Sequence, residues 1–320
     1  MAKIKKFLLN PWVYSLLLLL ILALIPSFAS RYYVYLMIEI MIVGLFAIST
    51  NVLLGYTGLL SFGQAGYFGI GAYTISLLLK TYDISFISAI LLSASLCALV
   101  ALVIGFLCIH LRSFYFAILT LSFSQLFYVI AYKWIALTGG DDGIVGIPKP
   151  PVLGLDLTST GNYYYFVLVV VAICIAFIYL MIRSPFGEVL QAIRDNPERA
   201  EFSGLNIKNF RLASFLTAGL FAGIAGAIFA PFQSIVTPDL LHWSKSAEPL
   251  LISILGGMYT FAGPLAGSVI FVLIKDWITG FTDYWMFWYG LLLILLIIYL
   301  PGGVMGFFSE KLKFFKRDVE

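Results

Sequence analysis

Charge is what this sequence has least of. Acidic and basic residues make up 11% of the 320-residue chain and hydrophobic residues 62%, against roughly 25% and 45–50% in ordinary soluble domains. That balance excludes a soluble enzyme, and a net charge of +3 gives a nucleic-acid partner no support. There are two histidines, His110 and His242, far apart in sequence and near the ends of apolar runs, so neither has an evident catalytic partner. Cys97, Cys108 and Cys174 sit inside apolar runs without the close Cys/His spacing of a zinc or redox site, and read as small core residues. No GxxxxGK[ST] phosphate loop occurs, so any ATP chemistry belongs to another chain. Without clustered His, Asp, Glu or Cys, a membrane-embedded enzyme has nothing to work with.

Long hydrophobic runs are abundant. A hydrocarbon core about 30 Å thick needs about 20 helical residues, and that length cuts the chain near 12–29, 34–54, 59–79, 84–109, 113–136, 163–182, 210–231, 262–280 and 284–300. A tenth piece, "EPLLISILGGMYT" at 248–260, is short, and is either a buried helix or half of a re-entrant pair. The expected fold is an all-α polytopic membrane protein, one permease domain over 1–320, with about ten transmembrane helices. Basic residues enriched at cytoplasmic span ends then place both termini in the cytoplasm. Lys3, Lys5, Lys6, Arg112, Arg183, Arg194, Arg199, Lys208, Arg211, Lys311, Lys313, Lys316 and Arg317 fall inside. Arg31, Lys80, Lys133, Lys149, Lys245 and Lys275 fall outside. "KIKK" followed by "SLLLLLILALIPSFAS" also resembles a cleavable signal peptide, whose removal would leave the later orientations unchanged.

Two loops depart from the short connections. The outer loop, 137–162, is rich in glycine and proline, and its Asp141 and Asp142 fit a structural turn better than a calcium loop. The inner loop, 183–209, concentrates charge. Pro185 suits a first helical turn, Glu188 its positive end, Asp195 or Asn196 can cap a second helix, and Gly204 can end it. A helical hairpin at the cytoplasmic surface follows, whose mixed charges, Glu188, Arg194, Asp195, Glu198, Arg199 and Glu201, suit a protein partner better than anionic lipid.

Glycine has its own pattern. Placed on one helix, Gly58, Ser61, Ala65, Gly69, Ala72 and Ser76 form a stripe of small side chains, a packing surface that lets two membrane helices approach closely. Gly219, Gly223, Gly226 and Ala230 form another, and Gly263 with Gly267 a third. Polar residues in the spans are few: Glu39, Ser49, Thr50, Asn51, Ser61, Gln64, Thr120, Ser122, Ser124 and Gln125. They either bond between helices or line a path. Asn51, Gln64, Tyr67, Thr120, Ser122 and Gln125 are the candidates for a neutral polar path, and Glu39 could instead be a proton-coupling acid.

Five stretches occur in order along the chain: "GYTGLLSFGQAGYFGIGAYT", "SFYFAILTLSFSQLFYVIAY", "TGGDDGIVGIP", "RSPFGEVLQAIRDNPERAEFSGLNI" and "ILGGMYTFAGPLAGS". Together they resemble the M-type permease subunit of branched-chain amino acid ABC importers. The resemblance implies a non-catalytic translocation subunit in the bacterial inner membrane. Its implied partners are a homologous H-type permease, two cytoplasmic ATPases carrying ATP and Mg, an extracytoplasmic binding protein and membrane lipid. It also implies that the inner loop is the coupling helix region seated on an ATPase, with Ala200, Glu201 and Gly204 in matching places of the importer consensus. Leucine, isoleucine and valine are the implied substrates; urea, short amides or other small neutral solutes are the alternative, and a proton-coupled secondary transporter using Glu39 a further one. "GLFA" at 44–47 and 219–222 is compatible with an inverted repeat.

Overall fold

In a computed structural model, the protein is described over residues 11–82, 84–111, 113–152, 154–282, 284–299 and 302–307. The expected basic residues Lys3, Lys5, Lys6, Arg112, Lys311, Lys313, Lys316 and Arg317 lie outside them. Every apolar run is a helix: α1 Pro11–Phe28, α2 Arg31–Asn51, α3 Gln64–Thr81, α4 Phe86–Cys108, α5 Ser113–Lys133, α6 Thr160–Arg183. Two short helices, α7 Pro185–Asp195 and α8 Pro197–Phe202, precede α9 Ile207–Gln233, α10 Trp243–Gly256, α11 Gly263–Thr279 and α12 Trp285–Tyr299. Among the described residues, five helices are long and apolar enough to cross a membrane. The architecture is that of an all-α polytopic membrane protein.

Burial separates centre from periphery. In an apolar 18-residue stretch of the helical run Arg31–Thr57, which is α2 continued through a π-helix at Val52–Thr57, 83% of the residues are buried, against 28% in such a stretch of α5 and 33% in one of α6. Around α2 pack α6, α9, α10 and α11, and α9 packs in turn on α3 and α4. The outward faces of α4 and α5 show Leu91, Leu99, Phe106 and Phe114, the surface that lipid tails would cover.

Gly58 corrects the expected span 59–79. It ends the π-helix in the left-handed region, at φ +73°, which only glycine adopts without strain, and residues 58–63 are not helical. The stripe from Gly58 to Ser76 is therefore not one helical face: Gly58 and Ser61 belong to the break, and only Ala65, Gly69, Ala72 and Ser76 share α3. The short apolar piece shifts in its bounds: residues 248–256 belong to a partly buried 14-residue helix that starts earlier, at Trp243, and stops before Gly257, φ +113°.

The outer loop closes by two-residue strands. β1 Ile144–Val145 pairs antiparallel with β2 Ile235–Val236, which follows α9, with Ile144 opposite Val236. Lys80 at the end of α3 donates to the Val145 carbonyl, 3.0 Å away. Asp141 and Asp142 lie exposed in a 3-10 turn. Asp156 accepts from the Thr158 amide and hydroxyl, bonds that hold its carboxyl below the usual range.

The inner loop folds as a helical hairpin. Gly187 lets α7 turn tightly off α6, since a β-carbon there would overlap the Ile182 carbonyl. Pro185 and Pro197 occupy first turns, Asn196 accepts from the Arg199 amide at 2.9 Å as the cap of α8, and Gly204 follows at φ +83°. Asn196→Ala removes that cap and should cost about 1 kcal/mol of hairpin stability, read as faster amide exchange over 197–203; unchanged exchange would contradict the assignment.

Candidate functional site

Two chain breaks meet at one end of the bundle. The first follows the π-helix, residues 58–63; the second, 257–262, joins α10 to α11. Asn51 Nδ2 donates to the Met258 carbonyl at 3.0 Å, and Gly55 faces the same carbonyl so closely that a β-carbon would overlap it. Between them lies Arg194, from the last turn of α7. Its Nη1 donates to the Gly55 carbonyl at 2.6 Å, its guanidinium lies 5.2 Å from the Tyr259 ring centre, and its Cγ would be 2.9 Å from a β-carbon on Gly58. A terminal carbonyl of a long helix is left without an intrahelical partner, and a cation there also complements the negative end of the helix dipole. Arg194 supplies both.

Arg194 accordingly parts from the other charged residues expected on the hairpin. Glu188, Asp195, Glu198, Arg199, Glu201 and Gly204 are exposed, whereas the Arg194 side chain is 23% exposed and turned into the bundle. The exposed face carries an additional residue that charge counting missed: Phe202 is 92% exposed at the end of α8. Its signal in the sequence was an aromatic within a charged stretch with no apolar periodicity to bury it.

The polar residues inside the bundle fall into distinct environments. Gln64, the first residue of α3, is fully buried with neither amide atom bonded. The neighbouring Ala65 amide donates to Ser246 Oγ, 2.9 Å away in the first turn of α10. Thr120 is buried and accepts from the Phe62 amide at 3.2 Å, and Gln125 Oε1 is buried without a partner. Tyr67 is buried with its ring edge-on to Phe215, and its carbonyl accepts from Cys97. Ser122 does not join them: it is exposed on α5 and its hydroxyl returns to the Ile118 carbonyl at 2.9 Å. A serine in an apolar helix can satisfy itself on the preceding turn, so its polarity does not mark a path.

The small residues bring backbones together. A β-carbon on Gly71 would overlap the Gly223 carbonyl, one on Gly226 the Phe68 carbonyl, and one on Gly267 the Ile252 carbonyl. Gly219 faces Ala101 and Tyr67, Gly263 faces the Gly257 carbonyl, and Gly69 faces Leu241. Leu241 lies in a 3-10 turn, Pro238–Leu241, that carries the chain from β2 down alongside α3.

Charged pairs also occur among these helices, contrary to a purely neutral interior. Glu39 of α2 binds Lys275 of α11 at 3.1 Å, and Lys245 binds Glu248 within α10 at 2.6 Å. Tyr32 donates to Asp276 nearby. Lys245, placed on the outer side by the expected topology, lies 5.9 Å from the ring centres of both Phe68 and Phe229. The 3-10 turn Pro238–Leu241 leads the chain into α10 at that place. Among the described residues no group of three or more His, Cys, Asp or Glu could hold a metal ion.

A family model described as "Branched-chain amino acid transport system / permease component" matches residues 32–300, from the start of α2 to the end of α12. The chain belongs to that family. Among relatives of this permease family, it is 29% identical to the high-affinity branched-chain amino acid transport system permease protein LivM of Escherichia coli (strain K12), over 93% of this chain and 76% of that one. It is 24% identical to the probable branched-chain amino acid transport permease protein LivM of Methanocaldococcus jannaschii, over 81% of this chain and 89% of that one. The probable permease LivH of the same archaeon is 30% identical over 45% of this chain and 48% of its own. No solved structure matches.

Proposed function

We propose that this chain is the translocating subunit of an ATP-driven, binding-protein-dependent importer that carries leucine, isoleucine and valine across the cytoplasmic membrane. The observation that carries the reading is the hairpin α7–α8. Its exposed face offers Glu188, Glu198, Arg199, Glu201 and Phe202 to a protein, while its inner end, Arg194, bonds the two chain breaks. Such an element can transmit a partner's movement to the bundle, provided its contacts differ between the two states. The partners are two cytoplasmic ATPases, which hold ATP and Mg, an extracytoplasmic binding protein and a homologous H-type permease; similarity to both LivM and LivH supports a pair of related permeases.

In this reading α1–α6 and α9–α12 make ten crossings, both termini and the hairpin of 183–209 are cytoplasmic, and the loop 137–162 is extracytoplasmic. Glu39 is bound to Lys275 rather than standing alone as a coupling acid. The test is leucine uptake into proteoliposomes containing this chain with its paired permease and ATPases, the binding protein outside and ATP within. Uptake should persist when a protonophore collapses the proton gradient and stop when ATP is exhausted. The reverse pattern would replace the reading by a proton-coupled transporter.

A further inference from the structure

The two helices that begin inside the bundle, α3 and α10, meet by their first turns through the Ala65–Ser246 hydrogen bond. Their place follows from Phe46, near the middle of the 27-residue run Arg31–Thr57. Phe46 packs on Phe68 at 4.6 Å between ring centres, and the Lys245 ammonium lies 5.9 Å from Phe68. Lys245 and its partner Glu248 are thus held inside the bundle, beside α3. Ionisable side chains at such a place are costly and face protein or a watery path, not lipid. Both remain partly accessible, 18% and 23% exposed, so their pairing does not seal them in protein.

We infer that Lys245, Glu248 and Gln64 form a recognition site for a zwitterionic α-amino acid, the carboxylate held by Lys245 and Gln64 and the ammonium by Glu248. This deepens, and rests on, the amino-acid importer reading above. Three independent features converge on the anionic end. The positive ends of two helix dipoles meet there, a lysine adjoins them, and the Gln64 side chain is fully buried with both amide atoms unbonded. A buried amide with neither atom paired loses the hydrogen bonds it would make in water, and a bound carboxylate would accept from its Nε2. The cationic end is supplied by Glu248, with Glu39 bound to Lys275 on the facing helices. Phe68 and Phe229 provide the apolar wall for the side chain. Between substrates the Lys245–Glu248 pair satisfies itself, and an amino acid exchanges that one pair for two.

The experiment uses the whole importer in proteoliposomes and reads leucine uptake, subunit co-purification and nucleotide hydrolysis without substrate. The neutral double variant K245M/E248Q should assemble and hydrolyse ATP normally while leucine uptake falls about ten- to a hundredfold, the effect of losing charged hydrogen bonds. The swap K245E/E248K keeps an ion pair but puts a carboxylate at the helix N-termini, and should stay equally impaired. Normal uptake by either variant would overturn the site in favour of a structural ion pair. If the pair variants fail to assemble, Gln64→Leu and Gln64→Glu decide: both should assemble and lose at least about tenfold of uptake, and normal uptake by both would overturn the proposal. Wild-type importer that moves no leucine would instead sink the importer reading itself.

Discussion

Gly226→Ala is expected to abolish accumulation of the folded chain. One added methyl group would overlap the Phe68 carbonyl oxygen, with the Phe68 α-carbon 3.1 Å away. Overpacking by a methylene ordinarily costs about 1–3 kcal/mol when side chains can rotate aside. Here the obstacle is backbone of α3, so α3 and α9 must separate. Separation would also pull apart Gly71 from the Gly223 carbonyl and Tyr67 from Gly219 and Phe215. In lipid no hydrophobic force compensates, because close van der Waals contact is itself what holds membrane helices together. Gly161→Ala is the matched control: it lies in the first turn of α6 with nothing within 4 Å of an added β-carbon. Its replacement should leave yield and thermal unfolding in detergent unchanged or slightly improved, since alanine favours helix by about 1 kcal/mol. Equal yields of the two variants would show that the α3–α9 contact is not as close as described.

The glycines also mark where sequence reading succeeds and where it stops. Hydropathy located the long apolar helices, because the bilayer sets the length of a span and leaves the backbone no alternative that satisfies its hydrogen bonds in lipid. The caps and prolines of α7 and α8 were equally legible, since capping is local chemistry between Asn196 and the Arg199 amide. The break at Gly58 was not. Left-handed backbone at one glycine is indistinguishable in sequence from glycine at a helix crossing, and "GYTGLLSFGQAG" contains both kinds: Gly58 turns the chain, whereas Gly66 packs on Phe127. The same limit hid the turn at Pro238–Leu241, which leads into α10 and sets Lys245 beside Phe68. Polarity alone could not sort the path candidates either: Ser122 and Thr120 are two residues apart, yet one turns outward to its own helix and the other inward to the Phe62 amide. Arg194 was legible as charge and as a neighbour of Asp195, with which it pairs at 2.9 Å, but its contacts with the bundle were not, because those partners are a backbone carbonyl and a ring far away in sequence.

Arg194→Ala is expected to separate ATP hydrolysis from leucine uptake in the proposed importer. Hydrogen bonds to charged groups contribute about 1.5–3 kcal/mol and a cation at a helix C-terminus about 0.3–1 kcal/mol. A coupling of about 2 kcal/mol corresponds to about a thirtyfold change in an equilibrium between two states. Without the guanidinium, the Gly55 carbonyl loses that donor, and the hairpin loses its direct bond to the π-helix and its contact with Tyr259. The remaining buried contacts of α7, through Leu190 and Ile193, hold the hairpin in place. Subunits should therefore still co-purify and hydrolyse ATP, while leucine moved per ATP falls by roughly tenfold or more. Arg194→Lys retains a cation that can reach one carbonyl but not the planar fork that also lies against Tyr259, and should fall between wild type and alanine. A residue that only stabilises the hairpin would lower assembly and both rates together. An unchanged leucine-to-ATP ratio in Arg194→Ala would remove Arg194 from the route by which the hairpin reaches the bundle, and leave Phe202 and the exposed charges as a docking surface without that link.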